Sequence, residues 1–305
     1  MVLQGPRGAP LLGRRSKVQG ELAGKYDALK RILAEMGGVV VAYSGGVDST
    51  LLLKAAVETL ADRALAVTAS SETYPAKEVE EAVCLAGELG ARLRRVHTDE
   101  LDMEEFSSNP PERCYYCKGE LFGKLLEIAR EEGLPVVVDG SNVDDTGDFR
   151  PGMRAAAQLG VRSPLREARL TKADIRELSR ALGLPTWDKP SFACLASRFP
   201  YGHRITRGEL TQVAAAEQAL RSLGLKQVRV RHYGQTARIE VPQDNIELVA
   251  SAENRTSIVS ELRSLGYLYV TLDLEGYRTG SMNEPLRGPE GPLGRQAENA
   301  SGTAG

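Results

Sequence analysis

The apolar run Val39-Val40-Val41-Ala42-Tyr43 passes directly into Ser44-Gly45-Gly46-Val47-Asp48-Ser49 and then into Thr50-Leu51-Leu52-Leu53-Lys54-Ala55-Ala56-Val57. No other stretch restricts the fold as much, because a buried strand has to end in a glycine turn and hand over at once to an amphipathic helix. The first N–H groups of such a helix have no intrahelical acceptor, and together with the helix dipole they suit an anion. Gly45 and Gly46 let the backbone approach phosphates without a Cβ in the way, Ser44 and Ser49 add hydroxyl donors, and Asp48 is placed to help hold Mg2+. The pattern points to ATP. The usual nucleotide loop ends in Gly-Lys-Ser or Gly-Lys-Thr, which is absent here, so γ-phosphoryl transfer is not the indicated chemistry.

Strand-like and helix-like runs continue to alternate. Strands are expected at 39–43, 64–69, 92–97 and 135–139, with helices at 49–61, 76–89 and 118–131. This is the α/β pattern of a doubly wound parallel sheet. Ligands of such sheets bind at the carboxyl ends of the strands, so Ser44, Ser70 and Gly140 are expected to share one crevice. Asp139-Gly140-Ser141-Asn142 reads as a second glycine turn facing the nucleotide, or as an ordinary turn after a core strand.

The order changes after residue 207, with a helix at 208–222, strands at 227–231 and 236–241, a helix at 244–263 broken near Ala252, and a strand at 267–272. That run predicts a second, smaller α+β domain. Pro185, Pro190, Pro200 and Gly202 make 184–206 a poor long element. The expected organisation is an α/β domain at 21–188, a connector at 189–207 carrying Cys194, and a small substrate domain at 208–283. Residues 1–20 and 284–305, rich in Gly and Pro without period, are expected to be unstructured.

A chain of 305 residues with 42% hydrophobic residues suffices for one large and one smaller core. The formal charge of -2 supplies no general attraction for nucleic acid or anionic membrane. No apolar run approaches the roughly 20 residues that span a bilayer, and no signal-peptide segment opens the chain, so a cytoplasmic protein is expected.

Four cysteines occur, at 84, 114, 117 and 194. Cys84 falls opposite the apolar face of its helix and is given no chemical role. Cys114-Tyr115-Tyr116-Cys117 follows Asn109-Pro110-Pro111 and is expected in a loop at the start of helix 118–131, where the dipole favours thiolate. Cys194 lies in the connector with Lys189 and Arg198 as nearby positive charge, placed to steady an adenylate or a thiolate. Three thiols leave a structural zinc site incomplete unless Cys84 or His97 completes it, while they match a [4Fe-4S] cluster with one iron open. Inert core thiols are the remaining reading.

Ser44 to Ser49 resembles the signature of the PP-loop (N-type) ATP pyrophosphatases, whose domain is adenine nucleotide alpha hydrolase-like. Within that superfamily, Arg113-Cys114-Tyr115-Tyr116-Cys117-Lys118, Asp139 to Asn142, Cys194 to Gly202 and Asp273 to Asn283 are similar to the LarE family of pyridinium-3,5-biscarboxylate mononucleotide sulfurtransferases. The resemblance covers about residues 20–283. It implies ATP cleavage to AMP and pyrophosphate, adenylation of a carboxylate of the pyridinium dicarboxylate mononucleotide, and conversion to a thiocarboxylate for the nickel-pincer cofactor. It also implies a homo-oligomer, a hexamer.

Two sulfur sources occur in that family. In one, the cysteine matching Cys194 gives up its own sulfur and is left as dehydroalanine. In the other, three cysteines, here Cys114, Cys117 and Cys194, hold a [4Fe-4S] cluster that carries sulfide from an external donor, and the paired thiols favour this form. Arg229 and Arg231 alternate with Val228 and Val230, so they share a strand face. Two guanidinium forks side by side suit a phosphate, the role the family implies for this pair, and the competing reading is a solvated edge. His203, in a glycine-containing loop, reads as structural. The nearest rival function is transfer-RNA thiolation, which would call for a basic RNA-binding extension that the chain does not display.

Overall fold

The computed structural model describes residues 11–147, 151–190 and 193–287. The chain divides into two compact units, the first comprising Met1–Ser71, Ala76–Thr98 and Cys114–Ser191, the second Glu72–Pro75, Asp99–Arg113 and Phe192–Gly305.

The first unit begins with α1 (Leu11–Met36), β1 (Val39–Ala42), α2 (Val47–Leu60), β2 (Ala64–Ser70), α3 (Ala76–Glu88) and β3 (Arg92–His97). After α4 (Glu104–Ser107), which belongs to the second unit, it continues with α5 (Arg113–Glu131), β4 (Val136–Val138), α6 (Pro151–Gln158), α7 (Pro164–Glu167) and α8 (Lys172–Ala181). Its four strands are parallel in the order β3-β2-β1-β4. This is the expected α/β sheet, flanked by helices.

The central strands are apolar throughout because both faces are covered. Val39 and Val41 pack with Leu29, Leu33, Leu51, Leu52 and Leu53, whereas Val40 packs on the other face with Phe122, Leu125 and Ile128. At one edge β3 is mostly exposed and carries Arg92, Arg94 and Arg95, paired respectively with Glu132, Glu131 and Glu80. Charges of this kind blunt an edge strand against further pairing.

Residues 11–20, which composition alone marks as unstructured, are instead the opening turns of α1. From Leu22 onward, Tyr26, Leu29 and Leu33 form a buried stripe at helical spacing, and the helix they anchor extends backward to Leu11. Residues 1–10 and 288–305 of the expected unstructured ends lie outside the described residues.

In the second unit, α9 (Arg207–Arg221), α10 (Ile246–Ala250) and α11 (Ala252–Ser264) accompany β5 (Arg229–Tyr233), β6 (Thr236–Glu240) and β7 (Tyr269–Leu272). The short α12 (Glu284–Arg287) follows. β5 and β6 form an antiparallel hairpin, and β7 joins β6 in parallel. Val228, Val230, Ala237, Ile239, Leu220, Ile258 and Leu262 build the core. The break between α10 and α11 falls at Ser251, whose hydroxyl accepts from the Asn254 N–H and caps the second helix.

This unit takes in 72–75 and 99–113, which a linear division leaves in the first domain. The recruitment is held by backbone bonds from Leu195 N–H to the Thr73 carbonyl, Gly202 N–H to the Asn109 carbonyl and Ile205 N–H to the Ser107 carbonyl. The buried Asn109 side chain also donates to the carbonyl of Pro200 at 2.7 Å.

Arg198 and Glu217, both fully buried, form a bidentate pair at 2.7 and 2.9 Å, and Glu217 also accepts from Arg221 and from the Val230 N–H. Burial pushes the Glu217 carboxyl up, but Arg198, Arg229 and Arg221 outweigh it and hold it below the usual carboxylate range. Glu217→Gln should therefore destabilise the protein by about 3–5 kcal/mol in urea unfolding at neutral pH, because Arg198 keeps a buried charge without its counter-ion. A depressed carboxyl contributes stability that is present above the unfolded value of about 4.3 and lost as pH falls through the lower folded value. The gap between wild type and variant should begin to narrow below about pH 4.3 and level off below the folded value.

Candidate functional site

The loop between β1 and α2 lies at the carboxyl end of the sheet, beside the loop that follows β4. β1 and β4 are neighbours, while β1 leads by way of α2 to β2 on its other side. This reversal is the switch point at which doubly wound sheets bind ligands.

Gly46 is the N-cap of α2 and offers no side-chain cap, so the first N–H groups of the helix lack the usual hydroxyl or carboxylate acceptor. Ser44 and Ser49 organise the loop. Their hydroxyls lie 3.1 Å apart, the Ser49 hydroxyl donates to the Gly46 carbonyl at 3.2 Å, and the Gly46 N–H donates to the Ser44 hydroxyl at 3.4 Å.

Both candidate glycine turns are closed to a side chain. Gly45 has φ +67°, and a Cβ there would lie 2.7 Å from the Ala82 Cβ. A Cβ at Gly140 would lie 3.1 Å from the Ser49 nitrogen and 3.3 Å from the Asp48 Cβ. The Asp139-Gly140 turn thus touches the first turn of α2, as a second wall of one site requires. Asp139 holds that wall in shape by accepting from the hydroxyls of Ser141 and Ser163 at 2.8 and 2.7 Å.

Asp48 accepts from Asn142 Nδ2 at 3.2 Å on one oxygen and is ion-paired with Lys172 Nζ on the other. Lys172 is the cation that the loop's own residues lack, and it arrives from a distant segment. The available signal was the Thr171-x-x-Asp174 capping box, which is formed and sets Lys172 at the first position of α8. The buried Asn142 is likewise part of the site. As a Mg2+ ligand, Asp48 fits only in exchange for Lys172, because one of its oxygens is already neutralised by an ammonium. Ser70 ends β2 on the same sheet edge, but its hydroxyl is turned to β3 and donates to the Val96 carbonyl at 3.4 Å.

The cysteines are divided between the units. Cys114 and Cys117 lie in the opening turns of α5, not in a loop ahead of it, because the helix starts at Arg113, two residues after Pro111. At a spacing of three they share a helix face, Cys114 exposed and Cys117 buried. Cys194, half-buried, precedes a 3-10 turn over Leu195–Arg198 in the second unit. Cys84 is exposed.

The two cations expected beside Cys194 have other partners. Lys189 pairs with Glu78 at 2.8 Å, and the Arg198 guanidinium donates to the carbonyls of Ala193 and Cys194 at 2.8 and 3.1 Å. Arg198 thereby fixes the backbone that carries the Cys194 thiol.

Arg229 and Arg231 are buried, so the solvated reading fails. Arg231 pairs with Glu240 at 2.7 Å and donates to the Ser281 hydroxyl and the Ser197 carbonyl. Arg229 lies over the Tyr277 ring, 5.3 Å from its centroid, and burial followed by the Arg198 charge lowers it to about 10. Arg198, Arg229 and Arg231 are buried in the same unit as the carboxylates Glu217 and Glu240, with which Arg198 and Arg231 respectively form ion pairs.

The family description of NAD synthase matches residues 23–113. The chain is similar to an uncharacterized protein of Synechocystis sp., 43% identical over 87% of this chain and 99% of that one. It is also similar to the pyridinium-3,5-bisthiocarboxylic acid mononucleotide synthase of Lactiplantibacillus plantarum, 42% identical over 87% of this chain and 96% of that one. A more distant likeness, 30% identical over 79% of this chain and 91% of the relative, links it to an uncharacterized protein of Methanocaldococcus jannaschii.

The close contacts at the loop generate a graded test. Gly45→Ala should weaken ATP binding more than about tenfold in calorimetry, since it combines left-handed strain with the Ala82 clash. Gly46→Ala, whose added Cβ would meet only the Ser44 hydroxyl at 3.4 Å, should cost far less.

Proposed function

The chain belongs to the LarE family of PP-loop, ATP-using enzymes, and from that premise we propose that it is an AMP-forming sulfurtransferase acting on pyridinium-3,5-biscarboxylic acid mononucleotide. The observation that carries the proposal is the uncapped N-terminus of α2, enclosed by Gly45 and Gly140 at the sheet's switch point. In the reaction, a carboxylate oxygen of the substrate attacks the α-phosphorus of ATP and pyrophosphate leaves. The helix N–H groups and the hydroxyls of Ser44 and Ser49 stabilise the departing charge. Asp48, itself held by Asn142, positions Lys172 for the same phosphates.

The acyl-adenylate then carries AMP as a leaving group, and a sulfur nucleophile displaces it to give the thiocarboxylate. Arg229 and Arg231 are proposed to bind the substrate phosphate, supported by the strand face they share on β5. Arg198 keeps the backbone of residues 193 and 194 in place.

For the sulfur source we favour a [4Fe-4S] cluster, because the donor set fits it in chemistry and number. Cys114 and Cys117 share a helix face near a positive helix end, and Cys194 supplies the third thiol. When bound, such a cluster supplies sulfide as the nucleophile. The second reading, with Cys194 as sacrificial donor, rests on its half-buried position in an otherwise fixed loop. The product would serve nickel-pincer cofactor synthesis, and the proposed assembly is a homohexamer.

Incubation with ATP and the pyridinium dicarboxylate should release pyrophosphate and AMP; formation of ADP and orthophosphate would overturn the reading. Anaerobically purified protein should show visible iron-sulfur absorption that is lost in Cys114→Ser and Cys117→Ser. Mass spectrometry after several turnovers separates the sulfur sources. An intact chain supports the cluster, and loss of the mass of one hydrogen sulfide at Cys194 supports the sacrificial route.

A further inference from the structure

The chain contains three histidines, and two of them meet. His203, in the loop before α9, Glu209, in the first turn of α9, and His232, on β5, each direct one ligand atom to a common point, with the three atoms within 4.8 Å of one another. His203 Nε2 lies 2.9 Å and His232 Nε2 lies 3.4 Å from the same oxygen, Glu209 Oε1. Chance placement is a poor explanation when so few histidines are available.

The outward atoms of the cluster are held by other groups. Glu209 Oε2 accepts from the backbone N–H and the hydroxyl of Thr206 at 3.1 and 2.9 Å, which leaves Oε1 facing the histidines. His232 Nδ1 is hydrogen-bonded to the Tyr267 hydroxyl at 3.1 Å. This is the outer-shell pattern that orients a metal-binding carboxylate and imidazole. Phe199 forms an apolar wall, its ring centroid 5.5 Å from that of His203 and 5.1 Å from that of His232.

A second observation concerns the buried ring. His232 is 2% exposed, and its Nε2, 3.4 Å from Glu209 Oε1, makes no well-aligned hydrogen bond. A buried ring nitrogen left in this way costs free energy unless something occupies its lone pair.

We propose that His203, Glu209 and His232 form a binding site for a divalent transition cation of the zinc class, with an open fourth position on the half-exposed side of His203 and Glu209. Two imidazoles and one carboxylate are a donor set that zinc accepts in three-ligand sites. The ion would clasp the 199–206 loop, a few residues after Cys194, to β5 and α9. The site uses no cysteine, so it stands apart from either sulfur source.

Cobalt(II) alone, titrated into the full chain, tests this without confusion with thiolate sites. Wild type should bind one equivalent more than His232→Ala. The difference spectrum should show visible d–d absorption and no sulfur-to-cobalt charge-transfer band. Glu209→Gln can keep an acceptor for Thr206 and therefore guards against loss of fold as an explanation; it too should lose the equivalent. Tyr267→Phe, which removes only the outer-shell bond, should weaken binding about tenfold. Equal stoichiometry and spectra in wild type, His232→Ala and Glu209→Gln, or cobalt bound only through thiolate, would overturn the proposal. A triad that is merely hydrogen-bonded would give that result.

Discussion

The first unit depends on a helix that starts without a side chain to cap it. Elsewhere in the chain Thr171, Thr206 and Ser251 cap their own helices, but α2 begins at Gly46 and has no such bond. Its N–H groups are left at the switch point of the sheet, where an anion can satisfy them. The surroundings follow from that arrangement. Gly45 must clear Ala82, Gly140 must clear Ser49, and Asp48 must be neutralised by Lys172 so that the site does not repel phosphate.

The second unit solves a different problem, the burial of several like charges. Arg198, Arg229 and Arg231 have little access to water, and Glu217 and Glu240 are buried with them. Desolvation of this size is tolerated where donors find acceptors. Several of the acceptors are backbone carbonyls, at Ala193, Cys194, Ser197 and Val228. The guanidinium groups therefore shape the chain around Cys194 and β5 as well as carrying charge.

Much of this is legible in the sequence where local pattern and tertiary role coincide. The strand at Val39, the glycine turn and the helix after it can be read directly, since continuous apolar residues and a glycine pair have few other uses. Lys172 cannot be assigned to the loop in that way, because its partner Asp48 is 124 residues away and only the sheet's topology brings them together. The alternation of Arg229 and Arg231 predicts their shared face but not their burial, which depends on Glu217, Glu240 and Tyr277 from other elements. Pro110 and Pro111 look like breakers and suggest a loop for Cys114 and Cys117; prolines just ahead of a helix instead mark its beginning. The meeting of His203 with His232 depends on a strand and a loop whose approach no spacing encodes.

The interleaving of the two units bears on how the protein is made. Residues 72–75 and 99–113 leave the ribosome early, but the partners they hydrogen-bond, around Leu195, Pro200, Gly202 and Ile205, are synthesised about a hundred residues later. During that interval the buried Asn109 and Phe106 have nothing to cover them. The early segments must therefore wait, exposed, while the strands of the parallel sheet are made in sequence. A cut at the connector would strand them with the wrong half, so the chain has two units in space but only one in biosynthesis.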